Sequence, residues 1–355
     1  METKIITIDH NAMDLHVLQE AGNIIQKGGL VAFPTETVYG LGGDALNRES
    51  SKKIYEAKGR PSDNPLIVHI CRMEDLSSIV KEISEDVYRL AEVFWPGPLT
   101  IIMEKSERVP KETTGGLDTV AVRMPSHPVA LKFIEYAGGY VAAPSANVSG
   151  RPSPTKAKYV VEDMAGRIDM ILDGDGIDIG LESTIVDMTG GVPMILRPGY
   201  ITKDMLEKIL GEVHIDQTIL DINCKKPPKA PGMRYRHYAP KGLLTIIEGD
   251  MKVTIETINE RTRQAHAQGE KVGIIATEET KDLYVGDSIK SVGSRKDEPS
   301  IARSLYTILR EFDEENVTVI YSESFADGFM GQAIMNRLLK AAGHSIVHVE
   351  KRDKL

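Results

Sequence analysis

The feature that most constrains this chain is a series of strand-sized apolar runs, repeated through roughly its first two hundred residues. Leu30 to Phe33, Leu66 to Ile70, Leu99 to Met103, Val120 to Arg123, Tyr140 to Ala143, Met170 to Leu172, Thr184 to Met188 and Met194 to Arg197 each suit a short, largely buried strand between helices or turns. Eight such runs imply one α/β domain around a large sheet, with antiparallel pairs where the interval is too short for a crossover helix. Helical patterns fill the longer intervals. Asn11 and Asp14 precede Leu15, Leu18, Ala21, Ile24 and Ile25, and Gly28 and Gly29 close the period, which predicts a capped helix.

Residues 213–240 break this alternation. The stretch KKPPKAPGMRYRHYAP has four prolines and no apolar period, so it reads as a linker. It is also the one basic stretch: residues 213–240 hold five basic and two acidic residues, against 22 and 31 in residues 1–212 and 16 and 19 in residues 241–355. From Leu243 the alternation resumes, with strands expected at Leu243 to Ile247, Val272 to Ala276, Val317 to Tyr321 and Ile346 to Val349. Helices fall near Thr254 to Ala267, Ile301 to Phe312 and Gly331 to Ala341. That pattern predicts a small Rossmann-like three-layer α/β domain with a mostly parallel sheet. The expected division is therefore a first α/β domain over 1–212, a Pro-rich basic linker over 213–240, whose prolines, Arg and Tyr suit a lid over a polyanionic ligand, and a second domain over 241–355.

Composition excludes several classes. Apolar residues at 41% and charged residues at 27% are ordinary globular usage. METKIITIDH has no targeting pattern, and no apolar run approaches the roughly 20 residues of a membrane span. Cys71 and Cys224 lack the spacing of a zinc site or disulfide framework. The expectation is a soluble cytoplasmic protein. A net charge of −9 argues against stable nucleic-acid binding, which needs a row of cations facing phosphates.

Neither GxxxxGK[ST] nor a strand-following GxGxxG is present, so a nucleotide would be held another way. In KGRPSDNPL, Arg60 precedes proline and is biased to extended geometry, so Lys58 and Arg60 are expected on one face as a cation pair, with Asn64 beside them. A solvated turn is the alternative. FPTETVYGLGGDA places Thr35 and Thr37 at a strand end before three glycines, a polar pocket or a Gly-rich turn. Arg123 ends an alternating strand, as a fork for a carboxylate or a strand-end ion pair. Ser145 and Asn147 share a face in APSAN; without GxSxG, Ser145 reads as a hydrogen-bond donor and not a nucleophile. His69 alternates with Val68 and Ile70, as structural strand histidines do. Ser183 and Arg197 complete the polar strand ends. Asp173, Asp175 and Asp178 lack EF-hand spacing and read as a turn.

Taken in order, GGLVAFPTETVYGLGGDA, KGRPSDNPL, FWPGPLT, VAVRMP, APSANVSG, LESTIVD and LRPG resemble the YrdC-like family. APGMRYRHYAP and the second domain extend the likeness to its two-domain threonylcarbamoyl-AMP synthase form. The family tetrad is present as Lys58, Arg60, Ser145 and Asn147. The resemblance implies a twisted mixed-sheet domain followed by the Rossmann-like one. It implies a nucleotidyltransferase that makes L-threonylcarbamoyladenylate from ATP, L-threonine and bicarbonate with loss of pyrophosphate, supplying a downstream tRNA-modifying threonylcarbamoyl transferase. It assigns ATP to Lys58, Arg60, Asn64, Thr119, Ser145, Ser153, Arg197 and a linker tyrosine, taken as Tyr238, and threonine to Thr37, His69, Arg123, Ala143 and Ser183. Mg²⁺ is expected through the ATP phosphates, with no metal-ligand set of its own. An RNA-binding module and a carbamoyl-transfer module are the alternatives on the same fold; the acidic balance opposes the first, and the second lacks an acylphosphatase or zinc-finger signature.

Overall fold

A computed structural model of the chain describes residues 2–174, 176–216, 219, 237–325, 328 and 330–350. They divide into two compact units: Met1–Ser149 with Ser153–Tyr235, and Gly150–Pro152 with Arg236–Leu355.

The first unit is built on an eleven-stranded mixed sheet. Its strands are β1 (Lys4–Ile8), β2 (Val31–Phe33), β3 (Gly40–Asp44), β4 (Ile67–His69), β5 (Leu99–Glu104), β6 (Thr119–Arg123), β7 (Val141–Ala142), β8 (Met170–Gly174), β9 (Thr184–Asp187), β10 (Met194–Arg197) and β11 (His214–Ile215). The spatial order is β1-β8-β2-β3-β7-β4-β6-β5-β9-β10-β11. All eight expected strands form. Three more were not expected: β1; β3, whose glycines suggested a turn; and β11, inside the range read as linker, which pairs in parallel with β10.

Strand alternation divides the buried residues between two faces. On one, Leu30, Ala32, Val68, Ile101 and Val122 form the large core under α2 (Arg48–Lys58), α3 (Glu85–Phe94), α5 (Ala157–Met164) and α6 (Lys203–Leu210). On the other, Val31 and Phe33 pack with Leu18 and Phe133 of α1 (Leu15–Gln26) and α4 (Pro128–Tyr136). Farther along that face, Ile67, Ala121, Ile102 and Ile185 form a separate small cluster. Asp14 caps α1 through the His16 amide. Asn47 caps α2 at its start, and Gly59 ends it with φ 62, a conformation that favours glycine.

The second unit has a five-stranded, wholly parallel sheet of β12 (Leu243–Gly249), β13 (Val272–Ala276), β14 (Ser288–Ser291), β15 (Val319–Glu323) and β16 (Ile346–Val349), in the order β14-β13-β15-β12-β16. The half-buried edge strand β14 was not expected. Helices α7 (Met251–Ala267), α8 (Glu298–Glu314) and α9 (Gly331–Ala341) connect strands, and the strand order runs first toward one edge and then toward the other, the order by which crossovers of one hand place helices on both faces. Among the described residues, no helix is long and apolar enough to cross a membrane.

Candidate functional site

The site grows out of a register coincidence. Arg123 ends β6; it lies opposite His69 on β4 and opposite Thr100 on β5, so the three side chains share a face. That face continues from Ile67, Ala121 and Ile102, and the polar row sits where the apolar cluster stops.

Arg123 is buried and held from three sides. Its Nη2 donates to Glu36 Oε1 at 2.6 Å, its Nη1 to Thr37 Oγ1 at 2.9 Å and its Nε to the Gly97 carbonyl at 3.4 Å. Thr35 donates its hydroxyl to the Val38 carbonyl at 2.7 Å and lies 2.9 Å from Thr37 Oγ1. A hydroxyl has one proton, so Thr37 donates to Thr35 and accepts from Arg123. The Asp178, Ile179 and Gly180 amides close over this turn by bonding the Glu36 and Thr37 carbonyls. His69 is wholly buried, with Nδ1 3.2 Å from the Ile67 carbonyl. Desolvation first, and the Arg123 charge second, push its pKa down to about 3 against the favourable pull of the Ile67 and Val141 carbonyls; the ring is neutral at ordinary pH. Ala143 is buried beside it, its amide bonded to the Ile67 carbonyl.

Thr100 links this row to β9. Its hydroxyl lies 2.7 Å from Ser183 Oγ, which also accepts from Arg197 Nη2 at 3.1 Å, while Arg197 Nε donates to the Ser183 carbonyl. Glu182, next in sequence, accepts from Ser153 Oγ at 2.6 Å.

A second group surrounds Lys58, whose geometry corrects the expected extended run. Lys58 is the last residue of α2, followed by left-handed Gly59, so Lys58 and Arg60 are not neighbours on one extended face. Nor is Lys58 part of a solvated turn: it is 1% exposed, and Nζ donates to the Ser145 and Asn147 carbonyls at 2.5 Å each. Arg60 is half-buried and folds back on the Asn64 and Pro65 carbonyls. Ser145 donates to Asn147 Oδ1 at 2.5 Å, which takes up the proton expected to serve a ligand; its lone pairs remain. Asn64 is buried, and its Oδ1 meets no partner among the described residues.

The segment 37–41 joins the two groups. Gly40 bridges to Ser145, the Leu41 amide bonds the Pro144 carbonyl, and the Tyr39 amide bonds the Pro154 carbonyl beside Ser153. Thr119 stands apart, four residues before Arg123 on β6, about 13 Å away at strand rise. Tyr238 belongs to the second unit, where its ring packs 5.2 Å from that of Tyr306. The lid expected of residues 213–240 falls largely on 217, 218 and 220–236, outside the described residues.

Sequence reasoning missed Glu36, Thr100 and Glu182 as members of this group. For Glu36 the signal was available: a carboxylate between two threonines in a run that is otherwise apolar is rarely buried unless paired. Among the described residues, no three His, Cys, Asp or Glu side chains gather to hold a metal ion.

Comparison with known proteins identifies the family. The family model described as telomere recombination, covering Sua5, YciO and YrdC, matches residues 23–199, and the threonylcarbamoyl-AMP synthase C-terminal domain matches residues 201–343. The chain is 47% identical over 332 residues to the threonylcarbamoyl-AMP synthase of Pyrococcus abyssi, covering 93% of this chain and 95% of that one. It is 46% identical to that of Bacillus subtilis, covering 93% and 94%. A solved structure described as P. abyssi Sua5 complexed with L-threonine superposes with a TM-score of 0.92 at 45% identity, covering 98% of this chain and 100% of that one. This chain belongs to the threonylcarbamoyl-AMP synthase family.

Proposed function

We propose that the protein is a nucleotidyltransferase that joins L-threonine, bicarbonate or CO₂, and ATP into L-threonylcarbamoyladenylate, releasing pyrophosphate and supplying a downstream tRNA-modifying transferase. The observation that carries this reading is Arg123: a buried guanidinium held by Glu36, Thr37 and the Gly97 carbonyl, which suits the carboxylate of an amino acid. The P. abyssi structure, described as complexed with L-threonine, supports the choice of amino acid.

The amine of threonine adds to CO₂, giving a carbamate and releasing a proton. A carbamate oxygen then attacks the α-phosphorus of ATP and displaces pyrophosphate. Such chemistry rests on positioning and on cations where charge gathers. Lys58 and Arg60 supply cations, and Asn64 Oδ1 is an acceptor with no donor among the described residues. Burial first and the Arg123 charge second hold the His69 ring neutral, which suits a group that hydrogen-bonds the substrate more than one that stores the amine proton. Mg²⁺ would take its ligands from the ATP phosphates and water, and would neutralise the leaving pyrophosphate.

The test is pyrophosphate release from ATP with threonine and bicarbonate omitted in turn. Release should require both; equal release with serine, or with no amino acid, would remove the threonine assignment.

A further inference from the structure

Glu36 is 4% exposed, and only one of its carboxylate oxygens is used. Oε1 pairs with Arg123 at 2.6 Å, whereas Oε2 is buried with no hydrogen-bond partner among the described residues. Native proteins rarely leave a buried charged acceptor unpaired, and such an atom calls for an explanation. Arg123 has the complementary excess. Of its five N–H groups, three reach Glu36, Thr37 and Gly97, which leaves two without a partner among the described residues and open to a ligand.

We propose that Glu36 is the receptor for the substrate's ammonium group, taking its hydrogen bond on Oε2 while Oε1 holds Arg123 for the substrate's carboxylate. This inference rests on the reading that the pocket takes an α-amino acid. In such a zwitterion the opposite charges are separated by a single carbon atom, so they lie side by side, as the charges of the Glu36–Arg123 pair do. Laid against that pair head to tail, the substrate pairs both remaining charges and adds no net charge to a buried site. Neutral His69 fits the same balance, because a third cation beside Arg123 would compete with the ammonium for Glu36. Held by the ammonium, the substrate nitrogen is fixed where it must later add to CO₂.

The experiment is calorimetric titration of full-length wild-type protein and Glu36→Gln with L-threonine and with (R)-3-hydroxybutanoate, which is threonine without its amine. Glutamine keeps the shape and still accepts from Arg123, but it has an N–H where Oε2 stood. A charge-assisted hydrogen bond corresponds to about tenfold or more in affinity. Wild-type protein should therefore bind threonine at least about tenfold more tightly than the analogue. In Glu36→Gln the threonine affinity should fall by about that factor while the analogue's affinity holds, closing the gap. Equal weakening of both ligands would reduce Glu36 to a support for Arg123 and overturn the proposal, as would unchanged threonine affinity. The wild-type gap is a test that needs no variant: if the amine adds nothing there, the proposal fails whatever the fold of Glu36→Gln. Wild-type protein that binds neither ligand would overturn the amino-acid reading itself.

Discussion

Replacing Lys58 with methionine separates a buried clamp from a solvated turn. Lys58 Nζ bonds two carbonyls, those of Ser145 and Asn147, and the residue has almost no contact with water. Hydrogen bonds to a charged group contribute about 1.5–3 kcal/mol each. The two share one donor group, and methionine recovers apolar packing as well as the cost of burying a charge. The net loss should be about 2–4 kcal/mol. For a unit of this size, about 1 kcal/mol lowers Tm by about 2–4 °C, so the first unit should melt about 5–15 °C earlier in differential scanning calorimetry of the full chain. Arg60→Ala removes the 3.3 and 3.2 Å hydrogen bonds of a half-buried side chain to the Asn64 and Pro65 carbonyls and should lower Tm less than Lys58→Met does, because a half-buried cation keeps part of its hydration. Pyrophosphate turnover should fall roughly ten- to hundredfold in both variants. A Lys58→Met protein melting within about 1 °C of wild type, or an Arg60→Ala protein melting lower than Lys58→Met, would refute the clamp.

His69 gives a pH prediction. Unfolded, it takes up a proton near pH 6.5; folded, not until about pH 3. The depressed value means that acid favours the unfolded chain, so stability is lost as pH falls from about 6.5 toward 3, by up to about 1.4 kcal/mol per unit. Urea midpoints of wild type and His69→Gln should therefore converge as pH is lowered from about 7 to about 5; parallel curves would count against it. Gly22→Ala places a methyl group 2.5 Å from the Tyr136 backbone where α1 meets α4, and should cost about 1–3 kcal/mol, read from the same melts. Arg123→Lys keeps a charge for Glu36 but loses the fork; it should weaken threonine binding about tenfold or more with ATP affinity little changed, and calorimetry showing the reverse would refute the division of roles.

The parts of the fold that could be read from the sequence are those where side chains carry the signal. Apolar runs such as Leu99 to Met103 marked central strands because both faces there are covered. β3 was hidden because Gly40, Gly42 and Gly43 read as a turn. Yet a Cβ at Gly42 would lie 2.9 Å from Val141 Cγ1 and 3.1 Å from Phe33, so glycine is what lets these strands and rings approach. β14 was hidden because a short, half-exposed edge strand has little apolar pattern to show. Within the site, Thr37, Arg123 and Ser183 were legible as polar strand ends, and the structure connects them through hydrogen bonds and register. The Lys58–Arg60 relation was not. The proline after Arg60 suggested an extended run, but α2 carries through Lys58 and turns at Gly59. Glu36 was missed because its role depends on a partner 87 residues away, which the turn between β2 and β3 meets only in the folded chain and which local spacing does not show.

The most direct measurement of the central claim is the identity of the product. Full-length protein, ATP, Mg²⁺, L-threonine and ¹³C-bicarbonate are incubated together and the adenylates resolved by mass spectrometry. The account predicts an adenylate whose mass contains both threonine and the labelled carbon, formed in step with pyrophosphate and lost when either threonine or bicarbonate is left out. Pyrophosphate accompanied only by AMP, or an adenylate of threonine without the labelled carbon, would contradict it.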